Sequence, residues 1–241
     1  MRVVIFSDIH ANLEALDAIF ADTAAVAPDR YVCLGDVVGY YSDPEECVHR
    51  IREREVLCVQ GNHDAVASGF EEPIDFNAVA MRAIRWTHDE LSVDSREWLH
   101  LLPRRIEIAP GIIGVHGSLR DRDEYLLSRF AVRTNLELLK KEGATAAFFG
   151  HTHQRAAYAE ANSGVAGLSI SSVELSADRC FLINPGGAGQ PRDHIVGAPY
   201  VLLDGITAHF RVALYDLEQT AQKVERLPYG TLLAERLRRG V

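Results

Sequence analysis

The chain has 241 residues, enough to bury a full core without disulfide staples, and its four cysteines form no C-x-x-C pair. Its net charge of -9 and pI of about 5.6 argue against the basic surface that long nucleic acid requires, yet small phosphorylated substrates remain open wherever a local cation supplies charge. A composition of 47% hydrophobic and 24% charged residues is that of a soluble globular protein; no apolar stretch is long enough to span a bilayer or act as a signal peptide, so the expectation is a cytoplasmic protein with no membrane partner.

Residues 3–6 (VVIF) form the first predicted strand and run directly into Ser7-Asp8-Ile9-His10. Leu13, Leu16, Ile19 and Phe20 recur at helical spacing and predict a helix over 12–26. A second strand, 31–34 (YVCL), ends at Gly35-Asp36, after which Asp43-Pro44-Glu45-Glu46 supplies an N-cap, a first-turn proline and an acidic start for the next helix. Residues 56–59 (VLCV) lead to Gly61-Asn62-His63-Asp64, and Cys33 and Cys58 in these runs read as reduced core residues. Helices are predicted over 75–89 and 94–101. Residues 112–115 (IIGV) precede His116-Gly117. A helix over 132–141 follows, with Glu137 and Lys141 spaced as an i,i+4 pair, and then 146–149 (AAFF) before Gly150-His151-Thr152-His153. Shorter strands near 155–160, 167–175, 179–184, 199–203 and 207–214 form a meander that supplies a second sheet. Two charged amphipathic helices over 216–239, broken near Pro228, close the chain. With no repeat or linker, residues 1–241 read as a single α/β domain.

Continuous apolar runs of this kind are buried strands, and ligands bind beyond the carboxyl ends of strands in open α/β sheets. Each run here ends in a side chain able to bind metal: Asp8, His10, Asp36, Asn62, His116, His151 and His153. One such residue alone is a turn or cap as readily as a ligand. The set carries the weight, because five of the ten histidines fall in these exits. Asp8 with His10, and His151 with His153, are spaced i,i+2, which in an extended segment places both side chains on one face. The donors are oxygen and nitrogen without thiolate, which suits Mn, Fe, Zn, Co or Ni. Seven ligands exceed one tetrahedral ion and suit two divalent ions sharing a carboxylate. The ions' charge, set against Asp8 and Asp36, gives a cationic cleft in an acidic protein.

The ordered blocks D-x-H, G-D, G-N-H-D, H and G-H-x-H make the sequence resemble the calcineurin-like metallophosphoesterase superfamily. Finer matches, SDIHAN at 7–12, GDVVGYYSDP at 35–44, GNHD at 61–64, GHTH at 150–153 and NPGGAGQPRD at 184–193, are similar to its small bacterial phosphodiesterase branch. The resemblance implies a four-layer α-β-β-α sandwich of the metallophosphoesterase type. It implies that Asp8, His10 and His153 hold a first metal, that Asn62, His116 and His151 hold a second, and that Asp36 bridges them. His63 would stabilise a phosphoryl oxygen or protonate the leaving group, and Asp64 would orient His63 or cap a helix. The implied activity is two-metal-dependent hydrolysis of phosphate esters, foremost phosphodiesters. A hydroxide bridging ions about 3.5–4 Å apart would attack, with His63 at its ordinary pKa of ~6.5 giving up a proton near pH 7. Phosphomonoesterase and dinucleoside tetraphosphate hydrolase are the alternatives. Gly187 stands where relatives often have serine, and Leu119 where they often have proline.

Weaker signals leave alternatives open. Gly186-Gly187-Ala188-Gly189 lacks the spacing of a phosphate cradle and reads as a tight turn; Arg192 beyond it contacts substrate or makes a surface ion pair. Tyr40 and Tyr41 wall a pocket or pack in the core. Arg236-Leu237-Arg238-Arg239 reads as a solvated helix end. A non-catalytic scaffold of the same fold should lack a ligand or His63, and neither is missing. A metal-dependent amidohydrolase should open with H-x-H and carry about eight βα units, whereas D-x-H comes first here. A homo-oligomer is compatible with the sequence.

Overall fold

The computed structural model describes residues 1–74, 76–161 and 164–241. The first third alternates strand and helix: β1 (Arg2–Phe6), α1 (Leu13–Thr23), β2 (Arg30–Cys33), α2 (Pro44–Glu53) and β3 (Leu57–Cys58), then α3 (Asn62–Ala67), α4 (Ala78–Glu90) and α5 (Val93–His100). Next come β4 (Arg105–Ala109), β5 (Ile112–Val115), α6 (Arg129–Lys141) and β6 (Ala146–Phe148). The later strands are β7 (Ala156–Ala161), β8 (Gly164–Gly167), β9 (Ser172–Glu174), β10 (Phe181–Asn184), β11 (Ala198–Asp204) and β12 (Thr207–Ala213), followed by α7 (Leu217–Glu225) and α8 (Gly230–Arg239); they form no separate meander sheet, because β9, β11 and β12 join the sheet of β1 while β7, β8 and β10 join that of β6.

These strands build two six-stranded sheets, ordered β3-β2-β1-β11-β12-β9 and β4-β5-β6-β10-β7-β8. Each sheet has a parallel trio, β3-β2-β1 in the first and β5-β6-β10 in the second, flanked by antiparallel partners. The register follows from burial on both faces. Val3 and Ile5 point into the space between the sheets, where they meet Val32, Leu34, Phe148, Phe181 and Ile183. Val4 and Phe6 point the other way, onto Leu16, Ile19 and Phe20 of α1 and Val48 and Ile51 of α2. A strand covered on both faces needs no polar alternation, which is why the runs read as uninterrupted apolar stretches. Full burial of each such side chain stabilises by about 1.5–3 kcal/mol. The outer face of the second sheet, with Ala147, Phe149 and Leu182, lies under Val132, Leu136 and Leu139 of α6. Helices, two sheets and a helix thus stack as four layers, and the βα barrel of the amidohydrolase reading is overturned. α7 and α8 close over Tyr40, Tyr41, Ala80 and Ala83.

Local departures from the predicted elements have local causes. α1 starts after Asn12, whose side chain accepts from Ala15 N at 3.1 Å, and its last predicted residues form a 3-10 turn at Ala24–Val26. α6 starts earlier than predicted, capped by Ser128, and Glu137 pairs with Arg133 at 3.2 Å rather than with Lys141. α4 is capped by Asn77, while residue 75, where that helix was expected to start, lies outside the described residues. β4 and the six-residue α3 have no predicted counterpart. Among the described residues no helix is long and apolar enough to cross a membrane.

The carboxyl ends of both parallel trios meet at one edge of the sandwich. β1, β2 and β3 deliver the loops of Asp8, Asp36 and Asn62, while β5, β6 and β10 deliver those of His116, His151 and residues 185–193. Main-chain bonds tie the loops together within and across the sheets: Asp8 N to Gly35 O at 3.0 Å, His10 N to Asp36 O at 2.9 Å, Gly150 N to His116 O at 2.7 Å and Ala188 N to Ser7 O at 2.7 Å.

Candidate metal centre

The loops that carry the candidate ligands are strained. Asp8 (φ 54°), His10 (52°), Asp36 (54°), His151 (63°) and His153 (57°) all adopt the left-handed conformation that side chains other than glycine disfavour. Such residues cost about 1–3 kcal/mol each and persist where surrounding contacts hold them, so their concentration here marks a pre-shaped site. The i,i+2 pairs therefore converge through left-handed turns, and the extended-segment argument for their shared face does not hold. Glycines make close approaches possible here. A Cβ on Gly61 would run into the Asp36 carboxylate, and one on Gly39 (φ 101°) into the His63 ring.

All seven predicted ligands come together. One group is Asp8, His10, Asp36 and His153; the other is Asp36, His116 and His151. Within each group the ligand atoms lie within 4.8 Å of one another, and Asp36 belongs to both. Asp36 Oδ2 stands 3.5 Å from His10 Nε2 and 3.4 Å from His116 Nε2, and Asp8 Oδ1 is 3.4 Å from His153 Nε2. Asn62 joins the second group, its Oδ1 3.1 Å from His116 Nε2.

The tautomers test whether these residues fit cations. His10 Nδ1 donates to Val38 O at 3.1 Å and His153 Nδ1 to Gln190 O at 2.6 Å, because a carbonyl only accepts. In the neutral rings both Nε2 atoms are then lone pairs, yet they face each other at 3.1 Å. Two acceptors at that distance repel unless a proton or a metal ion lies between them, so the pair suits a cation. His116 Nδ1 likewise donates to Leu34 O at 2.8 Å. His151 is reversed: its Nε2 donates to Asp123 O at 3.2 Å, leaving Nδ1 as the ligand atom. Carbonyl partners that fix the ring and raise its basicity are the usual support of metal-binding histidines.

Ionisation agrees with the geometry. Burial holds His10 and His153 well below the ordinary histidine range and His151 at about 3, so all three are neutral lone-pair donors. Burial also raises Asp8 to about 7, partly opposed by His116 and assisted by Asp36. His116 is the exception: burial disfavours its charge, but Asp36, Asp8 and the Leu34 carbonyl lift it to about 10. Against burial, that cation and His63 hold Asp36 well below the carboxylate range. In metal-free protein a proton on His116 thus neutralises the shared carboxylate.

His63 and Asp64 are not ligands. His63 packs between Tyr40, Phe76 and His10, with ring centroids 4.6–4.7 Å away, and its Nδ1 has no hydrogen-bond partner among the described residues. Burial takes it to about 4, so its ordinary value does not apply in this pocket. Among the described residues no hydrogen bond joins Asp64 to the His63 ring. Its carboxylate accepts from Asp36 N at 2.8 Å, Gly61 N at 3.0 Å and Val38 N at 3.2 Å, the helix-capping alternative extended to brace the Asp36 loop.

A cleft of about 500 Å³ opens beside Asn62, His63 and His151. Tyr40, Ile74, Phe76 and Tyr125 form apolar wall, and the Tyr125 ring stacks on His151 at 3.8 Å. Glu71, Glu72, Asp121, Asp123 and Glu124 ring the cleft against Arg122, which Glu71 and Asp123 neutralise at 2.7 and 3.0 Å. Tyr41 is core, resolving the pair of tyrosines into one wall residue and one packing residue. Sequence reasoning missed Phe76, Tyr125 and the Asp123 carbonyl.

Residues 1–205 match the model of the calcineurin-like phosphoesterase superfamily domain. The chain is 32% identical to an uncharacterized protein of Methanocaldococcus jannaschii, over 98% of this chain and 96% of the other. The crystal structure of a metallophosphoesterase from Sphaerobacter thermophilus superposes with a TM-score of 0.86 at 32% identity, covering 100% of this chain and 99% of that one. A hypothetical protein from Pyrococcus horikoshii OT3 superposes with a TM-score of 0.81 at 17% identity over 100% and 98% of the two chains, a likeness of fold.

Proposed function

The chain belongs to the calcineurin-like phosphoesterase superfamily, and on that premise we propose that it is a two-metal phosphodiesterase acting on small substrates. The observation that carries this reading is the pair of ligand groups meeting at Asp36. Asp8, His10 and His153 would hold one ion, Asn62, His116 and His151 the other, with Asp36 between them. When bound, the ions would supply positive charge for the phosphoryl oxygens and activation of a water as nucleophile. The mixed oxygen and nitrogen donor set suits Mn, Fe, Zn, Co or Ni, and manganese is the ion to load first.

The protein's own groups do the rest. His63, neutral at pH 7 with its pKa at about 4, serves best as a hydrogen-bond donor to a phosphoryl oxygen, in place of a proton donor of ordinary acidity. Asp64 holds the Asp36 and Gly61 main chain rather than the His63 ring. The carboxylate rim favours a diester, which brings one negative charge, over a dianionic monoester or a polyphosphate chain, and the apolar wall accepts a flat alcohol. Residues 1–241 would act as one domain, and four free, buried cysteines suit a reducing cytoplasm.

Hydrolysis of bis(p-nitrophenyl) phosphate, p-nitrophenyl phosphate and a dinucleoside tetraphosphate by manganese-loaded protein tests this reading. The expected order of kcat/KM puts the diester first. A monoester or tetraphosphate preference sinks the diester assignment, and inertness toward all three at full metal content favours the scaffold.

A further inference from the structure

The loop after β10 carries a cation that the metal centre leaves unused. Arg192 is half-buried, and among the described residues it makes no ion pair: the adjacent Asp193 is taken by Arg155 at 2.6 Å. Its guanidinium donates through Nε and Nη2 to one oxygen, Gln190 Oε1, at 3.3 and 2.8 Å. That engages two of the five N–H donors of an arginine fork and leaves its charge without a counter-ion.

The position of this cation is set by the first metal group itself. Arg192 N donates to His153 O at 3.1 Å, Gly189 N to Asp8 O at 3.0 Å and Ala188 N to Ser7 O at 2.7 Å. Gln190, fully buried, holds the guanidinium through its side chain and accepts from His153 Nδ1 through its carbonyl. The guanidinium's positive charge acts to lower the pKa values of Asp8, His10, His63 and His153 and of Tyr40 at the cleft wall. An arginine that merely decorated a surface would not be fastened to a metal-ligand loop with its charge unpaired.

We infer that Arg192 is the substrate-contact residue that receives a non-bridging phosphoryl oxygen, with Gln190 as its positioning residue. This rests on the phosphoesterase reading and adds to the site a charge that no metal ligand supplies. A planar fork suits a tetrahedral oxyanion, and a lysine point charge replaces it only in part.

Arg192→Ala and Arg192→Lys should be compared with the unaltered protein, all manganese-loaded, for metal content, thermal midpoint, binding of inorganic phosphate by calorimetry and kcat/KM for bis(p-nitrophenyl) phosphate. At unchanged metal content, Arg192→Ala is expected to weaken phosphate roughly tenfold and lower kcat/KM roughly 10²-fold, with Arg192→Lys in between. Unchanged phosphate affinity and kcat/KM in Arg192→Ala would overturn the assignment, as would loss of metal from both variants, which would make the arginine a support of the ligand loops. If the unaltered protein hydrolyses nothing, the proposed function falls, and the phosphate titration still decides the role of Arg192.

Discussion

The two ligand groups share Asp36 but differ in their access to solvent. Asp8, His10 and His153 are at most 2% exposed and none lines the cleft, whereas Asn62 and His151 form part of its wall. The first group is buried throughout; in the second His116 is buried too, but Asn62 and His151 are presented to the cleft. Closed coordination suits a firmly held ion and open coordination one that meets substrate. The difference teaches that similar donors at strand exits acquire different roles from what covers them.

The largest effect should come from the residue common to both groups. Asp36→Asn is expected to lower turnover roughly 10³-fold and to lose metal as well, by elemental analysis beside a diester assay. Full metal content in that variant would break the shared-carboxylate account. Asn62→Ala touches only the open group. It should leave about one metal per chain while activity falls roughly 10²-fold. Loss of both ions would show that the groups do not bind separately.

His63→Ala should cost turnover roughly 10²-fold with metal content intact. Full activity of that variant on several diesters would remove its role. The pH dependence has a definite sign. Asp8 at about 7 and His116 at about 10 carry protons in metal-free protein at pH 7 that ligation must displace. Metal uptake should therefore release about one and a half protons per chain at pH 7, and affinity should rise with pH and level off above about 10. Calorimetry in buffers of different ionisation enthalpy reads this directly; affinity independent of pH between 6 and 8 contradicts it. Least disruptive is Tyr125→Ala, which removes the ring stacked on His151. A rise in KM of about threefold to tenfold with unchanged metal content is expected, and an unchanged KM for aryl diesters would take Tyr125 out of substrate binding.

The candidate ligand cluster is legible in the sequence because its chemistry resides in side chains at strand exits, where Asp8, Asp36 and the histidines follow apolar runs. What was not legible resides in the main chain or in distant packing. The left-handed backbone at His10 and His153 depends on bonds to other loops. The reversed ring of His151 depends on the Asp123 carbonyl, a group every residue possesses. Asp64 looked like a partner for its neighbour His63, but its carboxylate turns to main-chain N–H groups that only the folded Asp36 loop brings near. Likewise β4 has Ile106 and Ile108 alternating with Arg105 and Glu107 before Ala109, a short signal for an edge strand.

Titration of chelator-treated protein with Mn²⁺, followed by calorimetry and checked by elemental analysis, tests the central claim most directly. The account predicts two ions per chain, bound in two resolvable steps, with the second step lost in Asn62→Ala. A single ion at saturation, or two that Asn62→Ala binds as well as the unaltered protein does, would contradict it.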